Sequence, residues 1–381
     1  MQAVSLIRLS FVFLWAGFSA SCALGQKPLK GVVSGHVYCA DTNLPCRFAT
    51  VLLQEIPAPK SDQSSSSAQA SSERGRTYNS VSALDGSFII DGVDPGTYYA
   101  VANLLGYISS AADLPQLDPH TGKIETSAKT DQLQKITVEN GQTANTEIRL
   151  ERGAAISGEV RYDDGSPGVN LSVHLYRKPK DGTWKDASTD LSWPREWVHF
   201  NQLTDDKGRY REAGLAPGEY VIEVRVPRLS THSGGISINT GNPGDFKVYS
   251  GGSTRVHDAT PVVVGSGEDR AGEDLTIPLT GLHRITGFVT AKHDGHPLSH
   301  GTVALLDPDD KTCLQYTGLQ SSGVFSFDSV PDGKYLLRFD DVADVENEHY
   351  IRTYQPIDRL LIVQSDISAL DFVLTAHKET Q

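Results

Sequence analysis

Polar and apolar residues alternate with a period of two along most of this sequence, in short runs separated by glycine, proline and polar turns. Alternation of this kind predicts β-strands that bury one of their two faces. The runs recur in the same order in three consecutive stretches of the chain. The pattern therefore predicts a repeated structural unit made of β-strands.

One block of residues defines this repeat. It begins at Gly86, at Gly208 and at Gly323, and each copy has an aromatic residue two positions on, a branched apolar residue seven on, a second glycine ten on and a tyrosine twelve on. The first glycine ends a polar turn and supplies a residue that tolerates positive φ, and the aromatic residue opens an alternating strand. A proline near the second glycine marks another turn. The block predicts a strand, a tight turn and the next strand.

Matching strands open and close each repeat. The opening strands are predicted at 33–37, 156–160 and 285–289, and the closing strands at 147–150, 275–279 and 370–374. Six or seven short strands in roughly a hundred residues cannot hide their apolar faces in a single flat sheet, so two sheets must pack face to face. We predict an all-β chain of three tandem β-sandwich domains, at 26–152, 153–281 and 282–381.

A family resemblance rests on the opening Ser34-Gly35 pair, the Asp85-Gly86-Ser87-Phe88 turn, the segment Val93–Tyr98 and the closing segment Ile136–Leu150. This order resembles the carboxypeptidase regulatory-like domain, a transthyretin-like (prealbumin-like, Greek-key) β-sandwich that is also grouped with carbohydrate-binding-like folds. The resemblance covers residues 31–376 in three copies and is strongest in the first. It implies a fold and little about function, because such domains accompany enzymes, receptors and surface proteins alike.

The N-terminus and the composition favour an exported protein. Arg8 precedes an apolar run at 9–18 that is too short to span a bilayer, and we interpret residues 1–25 as a secretory signal peptide. The expected location is secreted, periplasmic or the cell envelope. Acylation of Cys22 is the alternative, and only then would a membrane be a partner. The net charge of −13 argues against a nucleic-acid partner.

Export places the cysteines in an oxidising compartment. Cys39 and Cys46 are close enough in sequence for a hairpin to join them, and we predict a disulfide between them. Cys313 has no obvious partner, and we expect it to be a small buried hydrophobic residue.

Three insertions distinguish the chain from a bare array of sandwiches. Residues 57–76 are rich in serine and predict a disordered loop in the first repeat. Residues 229–253 are rich in glycine and serine and predict a similar loop. Their apolar residues Ile236, Ile238, Phe246 and Val248 are candidates for a partner surface. Residues 181–200 form an aromatic insertion in the second repeat.

That aromatic insertion holds Trp184, Trp193 and Trp197, which are the candidate ligand-binding residues. A sugar ring stacks on an exposed indole, and the resemblance to carbohydrate-binding-like folds makes this use conceivable. The favoured interpretation is that these rings pack against a neighbouring sandwich, because large aromatic side chains are mostly buried.

His293, His296 and His300 are weak candidates for a metal site, and they fall in the turn between the first two strands of the third repeat. We favour solvated turn residues and predict no metal and no cofactor, because a flexible loop rarely fixes a coordination geometry. The acidic turns at 307–310 and 340–344 lack the spacing of a calcium-binding loop, and we interpret them as solvated. An isopeptide bond between Lys30 and Asn145 is a further, disfavoured possibility.

The motifs of zinc peptidases, serine hydrolases and nucleotide-binding loops are missing from the sequence. We therefore predict a non-enzymatic structural or interaction protein whose partner is a protein or polysaccharide at the cell envelope. One alternative is a carbohydrate-binding protein that uses the aromatic insertion. Another is a hydrolase whose acid and base follow no recognisable motif.

Overall fold

The computed structural model describes residues 28–56, 75–117, 124–126, 129–178, 184–187, 203–232, 235–239, 245–346 and 349–377. Within these ranges the regular structure is β-strand, apart from short 3₁₀ segments at Ser110–Asp113, Thr130–Gln132 and Val256–Asp258. The prediction of an all-β chain is confirmed.

The first sandwich packs a sheet of order β4-β1-β9 against a sheet of order β3-β2-β5-β8, and β6 and β7 form a separate hairpin. Its strands are β1 (Gly31–Cys39), β2 (Thr50–Glu55), β3 (Thr77–Val81), β4 (Ser87–Val93), β5 (Gly96–Asn103), β6 (Gln116–Leu117), β7 (Ile124–Glu125), β8 (Lys135–Val138) and β9 (Thr143–Leu150).

The second sandwich packs β13, β10, β19 and β20 against the sheet β12-β11-β14-β17, in which β18 also pairs with β14; β15 and β16 form a separate hairpin. Its strands are β10 (Ala154–Tyr162), β11 (Ser172–Arg177), β12 (Lys185–Asp186), β13 (Arg209–Leu215), β14 (Gly218–Val226), β15 (Arg228–His232), β16 (Gly235–Asn239), β17 (Phe246–Tyr249), β18 (Val262–Val264), β19 (Asp269–Arg270) and β20 (Leu275–Ile277).

The third sandwich packs the sheet β24-β21-β28 against the sheet β23-β22-β25-β26, in which β27 also pairs with β25. Its strands are β21 (Leu282–Ala291), β22 (His300–Leu306), β23 (Cys313–Gly318), β24 (Val324–Pro331), β25 (Gly333–Glu346), β26 (His349–Thr353), β27 (Asp358–Val363) and β28 (Ile367–Leu374).

All three sandwiches share one plan around their opening strand. This strand (β1, β10 or β21) pairs antiparallel with the first strand of the repeated block on one side and parallel with a closing strand on the other. Each pair of sheets encloses its own apolar core, drawn from residues 33–150, 154–277 and 285–374 respectively.

A glycine in each opening strand faces the aromatic residue of the block. The cross-strand pairs are Gly35 with Phe88, Gly158 with Tyr210, and Gly287 with Phe325. A Cβ atom on Gly287 would lie 2.3 Å from the Phe325 ring and 2.6 Å from the Leu370 carbonyl oxygen of the closing strand. Glycine is therefore needed here for close packing, since any side chain would separate the aromatic ring and the closing strand from the opening strand.

The tyrosine that ends the block has a structural role in every repeat. The hydroxyl of Tyr98 donates to the Asp94 carbonyl at 2.6 Å, that of Tyr220 to the Ala216 carbonyl at 2.6 Å, and that of Tyr335 to the Pro331 carbonyl at 2.8 Å. All three rings are buried. This bond from a buried ring to a carbonyl four residues upstream fixes the turn between the two strands of the block, as a tyrosine corner does in other sandwiches.

The predicted disulfide between Cys39 and Cys46 is confirmed, with a Cα–Cα distance of 5.3 Å. It closes the turn between β1 and β2, beside a β-bridge between Tyr38 and Pro45. Matching bridges in the other sandwiches join Arg161 to Pro167 and Thr290 to Pro297. In the third sandwich, the buried side chains of Ala291 and Leu298 therefore stand where the first has its two cysteines.

Two expectations about buried and exposed residues are wrong. Cys313 is exposed at the start of the edge strand β23. Phe246 and Val248 lie in the core of the second sandwich and offer no partner surface, because β17 pairs with β14 and points them inward. The insertion at 229–253 thus contributes to β15, β16 and β17. The side chains of Ile236 and Ile238 lie outside the described part of the structure. Residues 57–74 of the first insertion also lie outside it.

The contact between Gly287 and Phe325 generates a stability prediction. We expect Gly287→Ala to lower the free energy of unfolding of the third sandwich by about 1–3 kcal/mol, because the new Cβ overlaps the Phe325 ring. Gly318→Ala is the matched control, since its Cβ would meet only the Gly301 carbonyl oxygen at 3.9 Å. Urea unfolding, followed by hydrogen exchange of the β21 amides, measures the free energy of unfolding of the third sandwich in both variants. Equal losses in the two variants would contradict the packing role of Gly287.

Candidate functional site

Backbone hydrogen bonds hold the joint between the first and second sandwiches. The Ile108 amide donates to the Glu151 carbonyl at 2.8 Å, and the Gly153 amide donates to the Gly106 carbonyl at 3.0 Å. Gly214 of the second sandwich, at φ +84°, places its Cα so close to the first sandwich that a Cβ there would lie 2.9 Å from the carbonyl oxygen of Tyr107. The linker thus lies against the first sandwich through an antiparallel β-bridge between Tyr107 and Arg152.

The Arg152 side chain completes this first joint. Its guanidinium lies 4.6 Å from the centre of the Tyr107 ring and donates to the Tyr107 hydroxyl at 2.6 Å. It also pairs with Asp41, and this hydrogen bond holds the pKa of the Asp41 carboxyl below its usual value. The pair is partly exposed, so the tyrosine contact and the backbone bonds contribute most of the rigidity.

The joint between the second and third sandwiches is built around Arg255, which precedes the 3₁₀ segment Val256–Asp258. Its guanidinium pairs with Asp307 of the third sandwich, donates to the Lys334 carbonyl at 2.6 Å, and lies 5.4 Å from the centre of the Tyr335 ring. The Arg255 side chain is 17% exposed and that of Asp307 only 1%. Removing one partner of a pair so well removed from water would leave a buried, unpaired charge, which costs far more than breaking a surface pair.

The linker at this second joint is also held in place. The Asp163 carboxylate accepts hydrogen bonds from the Leu279 amide at 3.0 Å and from the Thr280 hydroxyl at 3.3 Å. Leu282, the first residue of β21, packs against the core of the second sandwich. Little free chain therefore separates the second sandwich from the third.

Sequence reasoning missed the role of Asp307. The acidic turn at 307–310 was expected to be solvated, and this is wrong for Asp307, which is buried and paired across the joint. The same expectation is wrong for Asp344, whose carboxylate accepts from Tyr354 and contacts His296. No local signal marks these carboxylates, because their partners are distant in sequence.

The candidate ligand-binding tryptophans fall mostly outside the described residues, which include neither Trp193 nor Trp197. Trp184 is half-buried beside β12, and the Lys178 ammonium lies 5.6 Å from the centre of its ring. The ligand-binding role of the three residues stays a prediction.

The structure brings two of the three candidate histidines together. The rings of His293 and His296 lie edge to face with their centres 5.2 Å apart. His300 is separate and contacts Tyr350, with ring centres 5.4 Å apart. Hydrogen bonds to Asp344 and Asp294 raise the pKa of His296.

The structure does not favour an isopeptide bond in the first sandwich. Lys30 is exposed and forms an ion pair with Asp94 at 3.7 Å. Asn145 is also exposed, on strand β9. Intramolecular amide formation needs a lysine and an asparagine that are buried together, and neither residue meets this condition.

Glu212 is a half-buried carboxyl group on β13. Burial alone raises its pKa to about 7, with no charged partner contributing. A pKa in this range is typical of catalytic acids, but catalysis also needs a second group and a cleft. A carboxyl group whose pKa differs between the folded and unfolded chain makes stability depend on pH.

No family model and no curated protein matches the sequence. Among solved structures, a streptococcal ancillary pilin is 11% identical, with 92% of this chain and 100% of the pilin covered and a TM-score of 0.27. The Bacillus anthracis TIE protein is 12% identical with a TM-score of 0.22, and the match spans 92% of this chain but about half, 51%, of that protein.

A putative carbohydrate-binding protein from Pseudomonas aeruginosa is 16% identical, with 32% of this chain and 90% of that chain covered and a TM-score of 0.18. Identities and TM-scores this low are no evidence for a shared function. Among the described residues, no helix is long and apolar enough to cross a membrane.

The buried charge at the second joint generates a prediction. We expect Arg255→Ala to lower the free energy of unfolding by about 3–5 kcal/mol, because Asp307 would remain buried without its cation. Arg211→Ala is the matched control, since Arg211 pairs with Asp269 at the surface of the second sandwich, and we expect it to cost less than about 1 kcal/mol. Urea denaturation measures both. A similar small loss in the two variants would contradict the role of Arg255.

Glu212 generates a pH prediction. Its pKa is about 7 in the folded chain and about 4.3 in an unfolded one, so the folded state binds the proton more tightly. The contribution of Glu212 to the free energy of unfolding should therefore fall as the pH rises from about 4 to about 7. We expect Glu212→Gln to stabilise the chain by about 1–3 kcal/mol at pH ~8 and to have no effect at pH ~4.

Thermal unfolding at the two pH values measures this effect. Glu219→Gln, at an exposed glutamate of the following strand, is the control and should leave the pH dependence unchanged. A Glu212→Gln variant with the same pH dependence as the natural chain would show that this carboxyl is ionised normally.

Proposed function

We propose that this chain is an exported, non-enzymatic structural protein in which three carboxypeptidase regulatory-like sandwiches are held at fixed angles to one another. The proposed units are residues 26–152, 153–281 and 282–381, after a signal peptide at 1–25. Its loops would present a surface to a protein or polysaccharide of the cell envelope. The recurring block and the shared strand order support the family assignment.

The observation that carries this proposal is the pairing of Arg255 with Asp307 across the second joint. Sandwiches joined by free linkers reorient independently, and their interfaces are usually polar and loosely held. Here one side chain makes an ion pair, a backbone hydrogen bond and a ring contact to the next sandwich. Such a joint suits a spacer that must keep its ends in a fixed relation.

Double electron–electron resonance, which measures the distance between two spin labels, tests whether the joint is fixed. Spin labels at the exposed Cys313 and at Val263→Cys, an exposed position on β18, report on the third and second sandwiches. The labelled chain begins at residue 26 and so lacks Cys22, and Cys39 and Cys46 are joined in a disulfide, so only these two thiols react. We expect one narrow distance distribution in the natural background and a broad one with Arg255→Ala.

Arg211→Ala is the control and should leave the distribution narrow, because its ion pair lies within the second sandwich. A broad distribution in the natural background would contradict the proposal, since it would show that the two sandwiches move freely.

The second candidate function is carbohydrate binding through the aromatic insertion. The observation in its favour is that Trp184 is only half-buried, with Lys178 beside its ring. Tryptophan fluorescence during titration with a panel of polysaccharides tests it. A saturable change that Trp184→Ala abolishes would support this function, and an unchanged spectrum would exclude it for that panel.

A further inference from the structure

The turn that joins β21 to β22 gathers three potential metal ligands on one face. His293, Asp294 and His296 each offer one ligand atom, and these atoms all lie within 4.8 Å of one another. The His293 Nε2 atom lies 3.3 Å from the Asp294 Oδ2 atom. Two ligand atoms bound to one tetrahedral zinc ion, at 2.0–2.2 Å each, are about 3.4 Å apart. This pair is thus already at the separation that a shared ion requires.

Backbone hydrogen bonds hold this turn in place. The Gly295 amide donates to the Ala291 carbonyl at 2.9 Å, and the Ala291 amide donates to the His296 carbonyl at 2.9 Å. Beyond the turn, Pro297 forms a β-bridge with Thr290, and Leu298 is fully buried. These bonds hold the two histidines on a turn of defined backbone conformation, which removes the main physical objection to a metal site.

The His296 ring is oriented by a second carboxylate. Its Nε2 atom lies 2.9 Å from the Asp344 Oδ1 atom, and the Tyr354 hydroxyl donates to the other oxygen of Asp344 at 2.9 Å. A carboxylate that accepts from one ring nitrogen while the other nitrogen binds the ion is the usual environment of a metal-binding histidine.

The remaining nitrogen of His296 faces Asp294, with its Nδ1 atom 2.5 Å from the Asp294 Oδ1 atom. When Nε2–H is donated to Asp344, this Nδ1 atom and the carboxylate oxygen are both acceptors, and only a shared proton can hold them together. A divalent cation can take the place of that proton, and its binding would release the proton to solvent.

We propose that His293 Nε2, the Asp294 carboxylate and His296 Nδ1 bind one divalent transition-metal ion of the zinc class, with water as the fourth ligand. Two imidazoles and one carboxylate suit zinc better than calcium or magnesium, which prefer oxygen ligands. His300 is not part of the site, because it contacts Tyr350 instead. In the first sandwich, a disulfide closes the equivalent turn.

Arg352 competes with the ion for one ligand. Its Nη1 atom lies 2.5 Å from the His293 Nε2 atom, so the guanidinium must move before the metal binds. Removal of this positive charge should therefore strengthen metal binding, whereas removal of a ligand should weaken it. These opposite effects distinguish the proposed site from adventitious binding elsewhere on the chain.

Isothermal titration of Zn²⁺ into the metal-free chain tests the site, and visible absorption with Co²⁺ reports the coordination geometry. We expect one equivalent of Zn²⁺ to bind with a dissociation constant of about 1 μM or lower, at least ~10-fold weaker binding in His293→Ala and in His296→Ala, and tighter binding in Arg352→Gln. The matched control His300→Ala should bind as the natural chain does. Circular dichroism confirms that each variant is folded.

Two results would overturn the proposal. One is the absence of saturable Zn²⁺ binding by the natural chain. The other is binding that persists unchanged when both His293 and His296 are replaced, since the ion would then be held elsewhere. An Arg352→Gln variant that binds more weakly would likewise contradict the proposed geometry.

Discussion

The burial of Asp307 is the constraint on which the arrangement of the sandwiches depends. A carboxylate removed from water must be paired with a positive charge or lose its own charge. Within the part of the chain that the structure describes, the cation that pairs with Asp307 is Arg255, which belongs to the preceding sandwich. The third sandwich therefore buries a charge that the second must neutralise.

Inside each sandwich, the repeated block acts through two contacts that its sequence spacing fixes. The aromatic residue two positions after the first glycine lies over a glycine of the opening strand, and the tyrosine twelve positions on holds the following turn through its hydroxyl. Both contacts recur in all three units. Packing and hydrogen bonding thus explain why the block is repeated in the chain, and no catalytic role is needed to explain it.

Sequence reasoning succeeded where the determining interaction is local. Alternation placed the opening strands, and the short separation of Cys39 from Cys46 indicated their disulfide. It failed where the interaction joins distant segments. Asp307 pairs with a residue 52 positions away, and Phe246 is buried because β17 pairs with β14. Neither relation leaves a periodic signal in the sequence.

The same turn has different chemistry in different sandwiches, although its backbone is similar. The first closes it with a disulfide, and the third places His293 and His296 on it above a buried apolar anchor, Leu298. Only the backbone of this turn is predictable from strand alternation. The convergence of the histidines with Asp344 depends on the far end of β25, and a sequence pattern does not contain that information.

The most direct measurement compares the unfolding free energy of the third sandwich alone, residues 282–381, with that of the same sandwich within the whole chain. Separation removes Arg255 and the rest of the joint, and we expect the isolated unit to be less stable by at least ~1 kcal/mol. Asp307→Asn should remove most of this difference. Equal stability in the two settings would show that the sandwiches are independent units and that the joint does not hold them.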